Sequence, residues 1–186
     1  MPRVVHFLRH AETRIDEKTP VTEWRLTKQG VSRAQNFAVS GVFDSVDNIF
    51  SSDEPKALLT AAPIAKRIGT ATIAIPEFRE LDRGTRYLTD DEYQRSVSIT
   101  LNAPHSNVEG WESKSDALRR FERGLSTIES QYVFKEALIV SHGLILSIYF
   151  AHLLGVMDVY SRWKSLGFCA WGTVRNGRIV KDIASE

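Results

Sequence analysis

Short apolar runs that alternate with helical patterns are the feature of this sequence that most constrains its fold. The runs VVHFL (4–8) and ALIV (137–140) contain almost no polar residues, which is typical of strands buried in a parallel sheet. The helical patterns are at 27–39, 54–68, 113–130 and 144–154, and the other strand-like runs are at 47–51, 70–75, 168–174 and 178–183. Such alternation predicts an α/β fold with helices on both faces of the sheet.

Capping and turn residues support these boundaries. Thr27 is a candidate N-cap for the first helix, and Ser113 or Ser115 is a candidate for the long third one. Asn176-Gly177 separates the last two strand-like runs and is a strong signal for a β-hairpin. We therefore expect a three-layer α/β/α sandwich whose mainly parallel sheet has an antiparallel edge strand.

The length and the spacing of the patterns favour one domain. The 186 residues suffice for a single sizeable core, and no repeat, low-complexity tract or linker divides them. Residues 82–110 are the least periodic part of the chain. We predict one domain over 1–186, in which the segment 82–110 forms a partly helical, cap-like insertion over the active site.

Charge and hydropathy narrow the function classes. Lys and Arg total 24 against 23 Asp and Glu, a balance that argues against nucleic-acid and membrane-surface partners. The longest apolar stretch, 144–155, is broken by Ser147 and His152 and is too short to cross a bilayer. The opening residues resemble no targeting signal, and the single cysteine, Cys169, fits a reducing compartment as a buried packing thiol. These observations favour a cytoplasmic location.

Two histidines follow the two most apolar strands. Arg9 and His10 come directly after the first run, and His142 and Gly143 follow Ser141 at the end of ALIV, just before a helix. Ligands of open α/β sheets bind at the carboxyl ends of the strands, and the N–H groups of a helix N-terminus attract anions. A neutral imidazole is a competent nucleophile toward phosphorus. The pattern suggests a phosphate site.

A single histidine after a strand is most often structural. Metal-dependent, serine-hydrolase and nucleotide-binding chemistries find less support in the sequence than a phosphate site does. Histidine is the commonest metal ligand, but the chain has no HxH, HExxH or paired-cysteine spacing. It also lacks the GxSxG elbow of many serine hydrolases, the GxxxxGK[ST] phosphate loop and the GxGxxG turn of dinucleotide-binding proteins. We therefore predict no metal and no cofactor.

Six segments together resemble one known family. They are FLRHAET (7–13), RLTKQGVSRAQ (25–35), SSDEPKALLTA (51–61), REL (79–81), WES (111–113) and VSHG (140–143). In this order, and over nearly the whole chain, they are similar to the motifs of the histidine phosphatase superfamily, branch 1, which includes the cofactor-dependent phosphoglycerate mutases. The resemblance implies a phosphoglycerate mutase-like fold.

The resemblance also implies roles for individual residues. His10 would attack phosphorus and form a phosphohistidine, and His142, Arg9 and Lys56 would surround the phosphoryl oxygens. Glu80 would protonate the leaving group and then activate water. The wider set implied to bind phosphate is Arg9, Lys56, Thr13, Asp16 and Gly143. Asp82 is the alternative carboxylate to Glu80, and Glu12 is expected to line the pocket.

Three residues depart from the family pattern. Ala11 replaces a glycine, which is a mild change unless the backbone requires a positive φ. Asp16 stands where an asparagine is usual, so it either points away from the phosphate or leaves that role to another group. Lys56 replaces an arginine and keeps the charge without the bidentate fork. These changes leave the substrate and the turnover open.

The sequence favours a metal-independent phosphatase that acts on a small phosphomonoester. A phosphoprotein substrate, a phosphoglycerate mutase activity and a catalytically weak phospholigand-binding module remain as alternatives; the compact stretch between Glu80 and His142 disfavours the mutase. Nothing indicates the oligomeric state. Side chains that would contact the rest of the substrate are Arg83, Arg86, Tyr87, Tyr93 and Trp111.

Overall fold

The computed structural model describes residues 3–84, 86–102, 108 and 110–184. Six strands form one sheet: β1 (Val4–Arg9), β2 (Asn48–Ser51), β3 (Thr72–Ala74), β4 (Glu136–Ser141), β5 (Trp171–Arg175) and β6 (Arg178–Lys181). The α-helices are α1 (Lys28–Ser40), α2 (Pro55–Ile68), α3 (Asp90–Asn102), α4 (Lys114–Gln131), α5 (Gly143–Leu154) and α6 (Val159–Ser165). Two 3₁₀ helices, Val21–Glu23 and Pro76–Phe78, interrupt the connections.

The strand order is β3-β2-β4-β1-β5-β6, and the first four of these strands run parallel. β5 pairs antiparallel with β1, and β6 pairs antiparallel with β5. The predicted mainly parallel sheet with an antiparallel edge is therefore confirmed. In the register of the two central strands Arg9 lies opposite Ser141, so β1 and β4 end level with one another.

Helices cover both faces of the sheet, because side chains along the central strands alternate between two buried clusters. Phe7 and Ile139 belong to the cluster that includes α4 and α5 residues. Leu8 and Val140 belong to the cluster formed with α1 and α2. Successive residues of a strand point to opposite faces, so an uninterrupted apolar run fills both cores at once. The three-layer α/β/α arrangement is confirmed.

The predicted caps and hairpin occur where expected. The Thr27 side chain accepts a hydrogen bond from the Gly30 N–H, and the Ser113 side chain caps α4 by accepting from the Asp116 N–H. Asn176 and Gly177 both have positive φ, at 50° and 74°, and join β5 to β6. A two-residue turn of this kind matches the twist of the strands that it connects.

The segment 82–110, which the sequence predicts to be partly helical, contains α3, a helix of 13 residues. The sequence did not indicate α6. α6 has seven residues, too few for a clear hydrophobic period, and is capped by Asp158, whose side chain accepts from the Ser161 N–H. Among the described residues, no helix has the length and apolar character needed to span a bilayer.

Candidate active site

His10 directly follows β1 and is fixed by the neighbouring strand. Its backbone N–H donates to the carbonyl of Ser141 at 2.9 Å. Its Nδ1 lies 2.8 Å from the carbonyl oxygen of Ala11. Because a carbonyl only accepts hydrogen bonds, Nδ1 carries the ring proton and Nε2 keeps its lone pair. The imidazole is therefore held in the tautomer in which Nε2 is the nucleophilic nitrogen.

The surroundings of His10 keep this imidazole neutral. Burial lowers its pKa well below 6.5, and the neighbouring His142 and Arg9 lower it further. The hydrogen bond to Ala11 acts in the opposite direction and is a smaller influence on the pKa. A neutral ring at physiological pH is the form that can attack phosphorus.

His142 is the N-cap residue of α5 and is fully buried. The centroid of its ring is 5.1 Å from that of His10, with the two rings in an edge-on arrangement. Burial lowers its pKa well below 6.5, followed by the effects of Lys56 and Arg9. Its Nε2 is 3.3 Å from Oε1 of Glu54, without the alignment of a hydrogen bond. The structure thus brings together His142 and His10, the two histidines that the sequence placed at the ends of strands.

The guanidinium of Arg9 packs closely against the backbone of Gly143. The Arg9 guanidinium lies over the Phe168 ring at 4.5 Å and donates to the carbonyl of Leu166. A Cβ atom at Gly143 would be 3.0 Å from Nε of Arg9 and 3.1 Å from its Cζ, which is tighter than ordinary van der Waals contact. The glycine after His142 therefore provides the space that the arginine occupies. Burial lowers the pKa of Arg9, but a guanidinium remains cationic at neutral pH.

Glu80 reaches the N-terminus of α5. Its Oε2 accepts from the N–H of Leu144 at 3.0 Å, and its Oε1 accepts from those of Ile145 and Leu81, both at 2.9 Å. The sequence predicted that this helix N-terminus attracts an anion, and two of its N–H groups are occupied by the Glu80 carboxylate. Burial raises the pKa of Glu80, whereas the three backbone hydrogen bonds oppose that shift.

Lys56 has a partner that the sequence did not reveal. Its Nζ donates to the carboxylate of Glu54 and, at 2.8 Å, to the carbonyl of Val21. Both Lys56 and Glu54 are only 4% exposed, so the pair is buried. Oε1 of Glu54 also accepts from the backbone N–H of Glu80 at 3.0 Å. The cation expected to face phosphate alone is therefore balanced by a carboxylate that links it to the segment carrying Glu80.

Asp16 does not join the other predicted site residues. Its side chain accepts hydrogen bonds from the Lys18 N–H and the Thr19 hydroxyl, both at 3.0 Å, and closes a local turn. It lines a separate depression beside Arg14 rather than the cavity at His10. Of the two possibilities left open for this aspartate, the structure has the one in which it points away.

His10 opens into a cavity of about 380 Å³. Residues of the predicted site on its wall are Arg9, His10, Glu12, Thr13, Lys56 and Glu80. Aromatic rings form much of the remainder: Trp24, Tyr87, Tyr93, Trp163 and Phe168. The cavity thus combines a polar end, which holds His10 and the Glu80 carboxyl group, with a largely apolar wall.

The segment 82–110 contributes to this cavity only in part. Arg83, Tyr87 and Tyr93 line the cavity. The sequence suggested these three among the side chains that would contact the part of the substrate beyond its phosphate. Arg86 instead forms an ion pair with Glu92 at 3.3 Å. Trp111 and Asp82 line the adjoining cleft on the other side of Glu80 and Arg83. Glu80, rather than the alternative Asp82, therefore faces the cavity at His10.

Sequence reasoning missed several residues of the site. Glu54 gave no signal, since an acid just before a helix-starting proline is usually solvated. Trp24, Trp163 and Phe168 carry no chemical motif and come from separate parts of the chain. In the described part of the chain, no group of three or more His, Cys, Asp or Glu side chains could hold a metal ion.

The geometry agrees with comparisons to known proteins. The family model of the histidine phosphatase superfamily (branch 1) matches residues 5–174. The probable phosphoglycerate mutase GpmB of Proteus mirabilis is 26% identical over 175 residues, which cover 89% of this chain and 81% of that protein.

Solved structures show the same fold. The mycobacterial glucosyl-3-phosphoglycerate phosphatase superposes with a TM-score of 0.79 at 20% identity, and the match covers 100% of both chains. The alpha-ribazole phosphatase from Shigella flexneri gives a TM-score of 0.71 at 24% identity, covering 96% of this chain and 94% of that one. With its strand-end histidines, its phosphoglycerate mutase-like fold and a family match over most of its length, this chain belongs to branch 1 of the histidine phosphatase superfamily.

Proposed function

We propose that this protein is a phosphatase that hydrolyses small phosphomonoesters through a phosphohistidine on His10, with Glu80 as the proton donor. One observation carries the proposal: Nδ1 of His10 is committed to the Ala11 carbonyl at 2.8 Å, which leaves the nucleophilic Nε2 on a ring kept neutral by burial. A purely structural histidine does not need a selected tautomer beside a cavity that also holds an arginine and a half-buried carboxyl group.

In the first step Nε2 of His10 attacks phosphorus, and the bond from phosphorus to the leaving oxygen breaks. Arg9 stabilises charge on the phosphoryl oxygens, and Lys56 has one N–H left for them beyond its bonds to Glu54 and Val21. Thr13 lines the same end of the cavity. The leaving oxygen requires a proton, which Glu80 supplies.

The proton on Glu80 has one favoured position. Oε1 already accepts two backbone N–H bonds, whereas Oε2 accepts only that of Leu144. A carboxyl oxygen has two lone pairs, so Oε2 can carry the proton without losing its hydrogen bond. In the second step the ionised Glu80 takes a proton from water, which attacks the phosphohistidine; phosphate leaves and the neutral imidazole returns.

A phosphoglycerate mutase activity is the second candidate, because the relative in Proteus mirabilis carries that name. A mutase returns the phosphoryl group of His10 to a hydroxyl of the substrate instead of to water. Among the described residues, Arg83 is the one cation on the otherwise largely apolar wall, whereas a bisphosphate intermediate that must reorient would be held better by cations grouped at both ends, so the lining favours hydrolysis. A phospholigand-binding module without turnover is the third candidate, and the buried Glu54–Lys56 pair, which reduces the free charge at phosphate, is the observation behind it.

Hydrolysis of p-nitrophenyl phosphate in EDTA, by the wild type and by His10→Ala, tests the proposal. We expect turnover without added metal and a loss of at least ~1,000-fold in His10→Ala, because the variant lacks the nucleophile. His152→Ala is the matched control, since His152 lies exposed at the far end of α5 and pairs with Glu122. Acid-quenched wild type should carry acid-labile phosphate that His10→Ala lacks. Equal hydrolysis by wild type and His10→Ala would contradict the mechanism.

A further inference from the structure

The backbone that delivers Glu80 to the site lies outside the helices and strands of the described chain. After the 3₁₀ turn Pro76–Phe78 the chain passes through Arg79 to Glu80. The carbonyls of Glu77, Arg79 and Glu80 all accept hydrogen bonds from the guanidinium of Arg120, at 2.7, 3.0 and 3.1 Å. One side chain of α4 therefore serves three backbone carbonyls of a segment that has no partners for them in the described helices and strands.

Arg120 has no donor to spare. A guanidinium carries five N–H groups: one on Nε and two on each Nη. Nε and Nη2 of Arg120 bond the two carboxylate oxygens of Glu112 at 3.0 and 2.7 Å, which leaves three N–H groups for the three carbonyls. Only 18% of the Arg120 side chain is exposed. Glu112 therefore sets the plane of the guanidinium, and the guanidinium sets the path of the chain that ends at Glu80.

The packing of α4 brings Arg120 into range. One turn further along this helix, Gly124 allows close contact with the 3₁₀ turn: a Cβ there would be 2.7 Å from the Phe78 ring and 2.8 Å from Cβ of Glu77. The remaining carbonyl of the segment, that of Phe78, accepts from the Ser141 hydroxyl at 2.8 Å. The segment is thus fixed from α4 and from the end of β4.

We propose that Arg120, oriented by Glu112, is a positioning residue that holds Glu80 where it can protonate the leaving group. This rests on the proposed function of Glu80. Lysine cannot replace the arginine, because an ammonium has three donors on one atom and cannot serve three carbonyls while it also binds a carboxylate in a fixed plane. Arg120→Lys therefore keeps the charge beside Glu112 and loses the set of hydrogen bonds that shapes the segment.

The dependence of the rate on the leaving group separates positioning of the acid from general damage. A nitrophenolate leaves without a proton, whereas an alkoxide requires one. We expect Arg120→Lys to lower kcat/KM for glycerol phosphate by about 100-fold and for p-nitrophenyl phosphate by less than about 5-fold. Glu80→Gln should show the same contrast, and adding Arg120→Lys to Glu80→Gln should leave that contrast unchanged. kcat/KM is used because it reports phosphoryl transfer to His10 and excludes hydrolysis of the phosphohistidine.

Two further variants serve as controls. Arg123→Lys alters the same helix and cleft at an exposed side chain, outside the hydrogen bonds that hold the Glu80 segment; it should retain wild-type kcat/KM with both substrates. Glu112→Gln keeps the Arg120 guanidinium but removes one of the two carboxylate oxygens that orient it. It should therefore give a smaller difference in kcat/KM between the two substrates. Thermal unfolding of each variant shows whether it is folded at the assay temperature.

The outcomes distinguish the two proposals. Suppose that Glu80→Gln shows the contrast, but that Arg120→Lys lowers kcat/KM equally for both substrates or for neither. The positioning role of Arg120 is then overturned, and the proposed function stands. If Glu80→Gln itself shows no contrast, the role of Glu80 as proton donor fails, and the inference about Arg120 fails with it.

Discussion

Asp53 and Glu54 are neighbours in sequence, yet they belong to two different regions of the site. The Asp53 carboxylate binds the guanidinium of Arg79, and the two side chains are 25% and 54% exposed; we call this pair the rim. The Glu54 carboxylate binds Lys56, and these side chains are 4% and 5% exposed; with His10 and His142 they form what we call the floor. Both regions contain a carboxylate–cation pair, but only the floor pair is isolated from water.

The floor and the rim therefore differ in how strongly a charge interacts with its surroundings. In the floor, strands β1 and β4 and the start of α2 place His10, His142 and Glu54, and any charge there bears the full cost of burial. At the rim, the Asp53–Arg79 ion pair is open to solvent, and water screens the attraction between its charges. Removal of one charge should therefore have a large effect in the floor and a small one at the rim.

The largest effect is expected for Glu54→Gln, which leaves Lys56 buried without a counter-charge. We expect the free energy of unfolding to fall by about 3–5 kcal/mol, as for other buried pairs that lose one partner. Replacing both residues, as in Glu54→Leu with Lys56→Met, should recover most of that loss because no buried charge remains. Urea denaturation of the two variants and the wild type measures both values. A loss below about 1 kcal/mol for Glu54→Gln would mean that water reaches the floor.

The second effect is a dependence of stability on pH that originates in the floor. The pKa values of His10 and His142 lie well below 6.5 in the folded protein, whereas the unfolded chain titrates near 6.5. Below pH 6.5 the unfolded state binds protons that the folded state does not, so the free energy of unfolding falls as the pH falls. The slope is about 1.4 kcal/mol per pH unit for each histidine, until the pH reaches the folded-state pKa.

Urea denaturation from pH 8 to pH 5 measures this slope. Glu80 has a raised pKa, so it contributes the opposite slope as the pH falls through that value, and a Glu80→Gln background removes this contribution. In that background His142→Gln should reduce the slope between pH 6.5 and 5 by about 1.4 kcal/mol per pH unit, and the slope that remains comes from His10 and from His6, whose pKa is also lowered by burial. His152→Gln, which alters an exposed histidine, is the control. A slope that His142→Gln leaves unchanged would place the titration outside the floor.

The smallest effect is expected for Asp53→Asn at the rim. Its pair with Arg79 is largely in water, where an ion pair contributes less than about 1 kcal/mol and is weakened by salt. The difference in the free energy of unfolding from the wild type should shrink further between low salt and about 1 M NaCl. A loss as large as that of Glu54→Gln would remove the distinction between the two regions.

The sequence predicted the two histidines of the floor better than the acids Glu54 and Glu80. The runs 4–8 and 137–140 are apolar on both faces, so their strand state and their place in the centre of the sheet follow from burial alone. A histidine directly after each strand then lies at the carboxyl edge, and the register Arg9–Ser141 brings the two together. Glu80 was found only through the family resemblance, since an acid in an irregular segment has no period or cap to distinguish it.

Asp16 and Glu54 show what local sequence does not contain. Asp16 is turned away by hydrogen bonds to Lys18 and Thr19, a choice between two local geometries that the residue types alone do not decide. Glu54 is drawn inward because Lys56 and the N–H of Glu80 offer partners there, and Glu80 is 26 residues away in the chain. Such long-range pairings depend on how distant segments pack in the folded protein, which the local sequence does not contain.

The contact between Gly143 and the Arg9 guanidinium couples two positions that lie near opposite ends of the chain. A Cβ atom at position 143 would be 3.0 Å from Nε and 3.1 Å from Cζ of Arg9, so a side chain there requires the guanidinium to shift by a few tenths of an ångström. A relative with alanine in place of this glycine should therefore not be assumed to hold its first arginine in the same place.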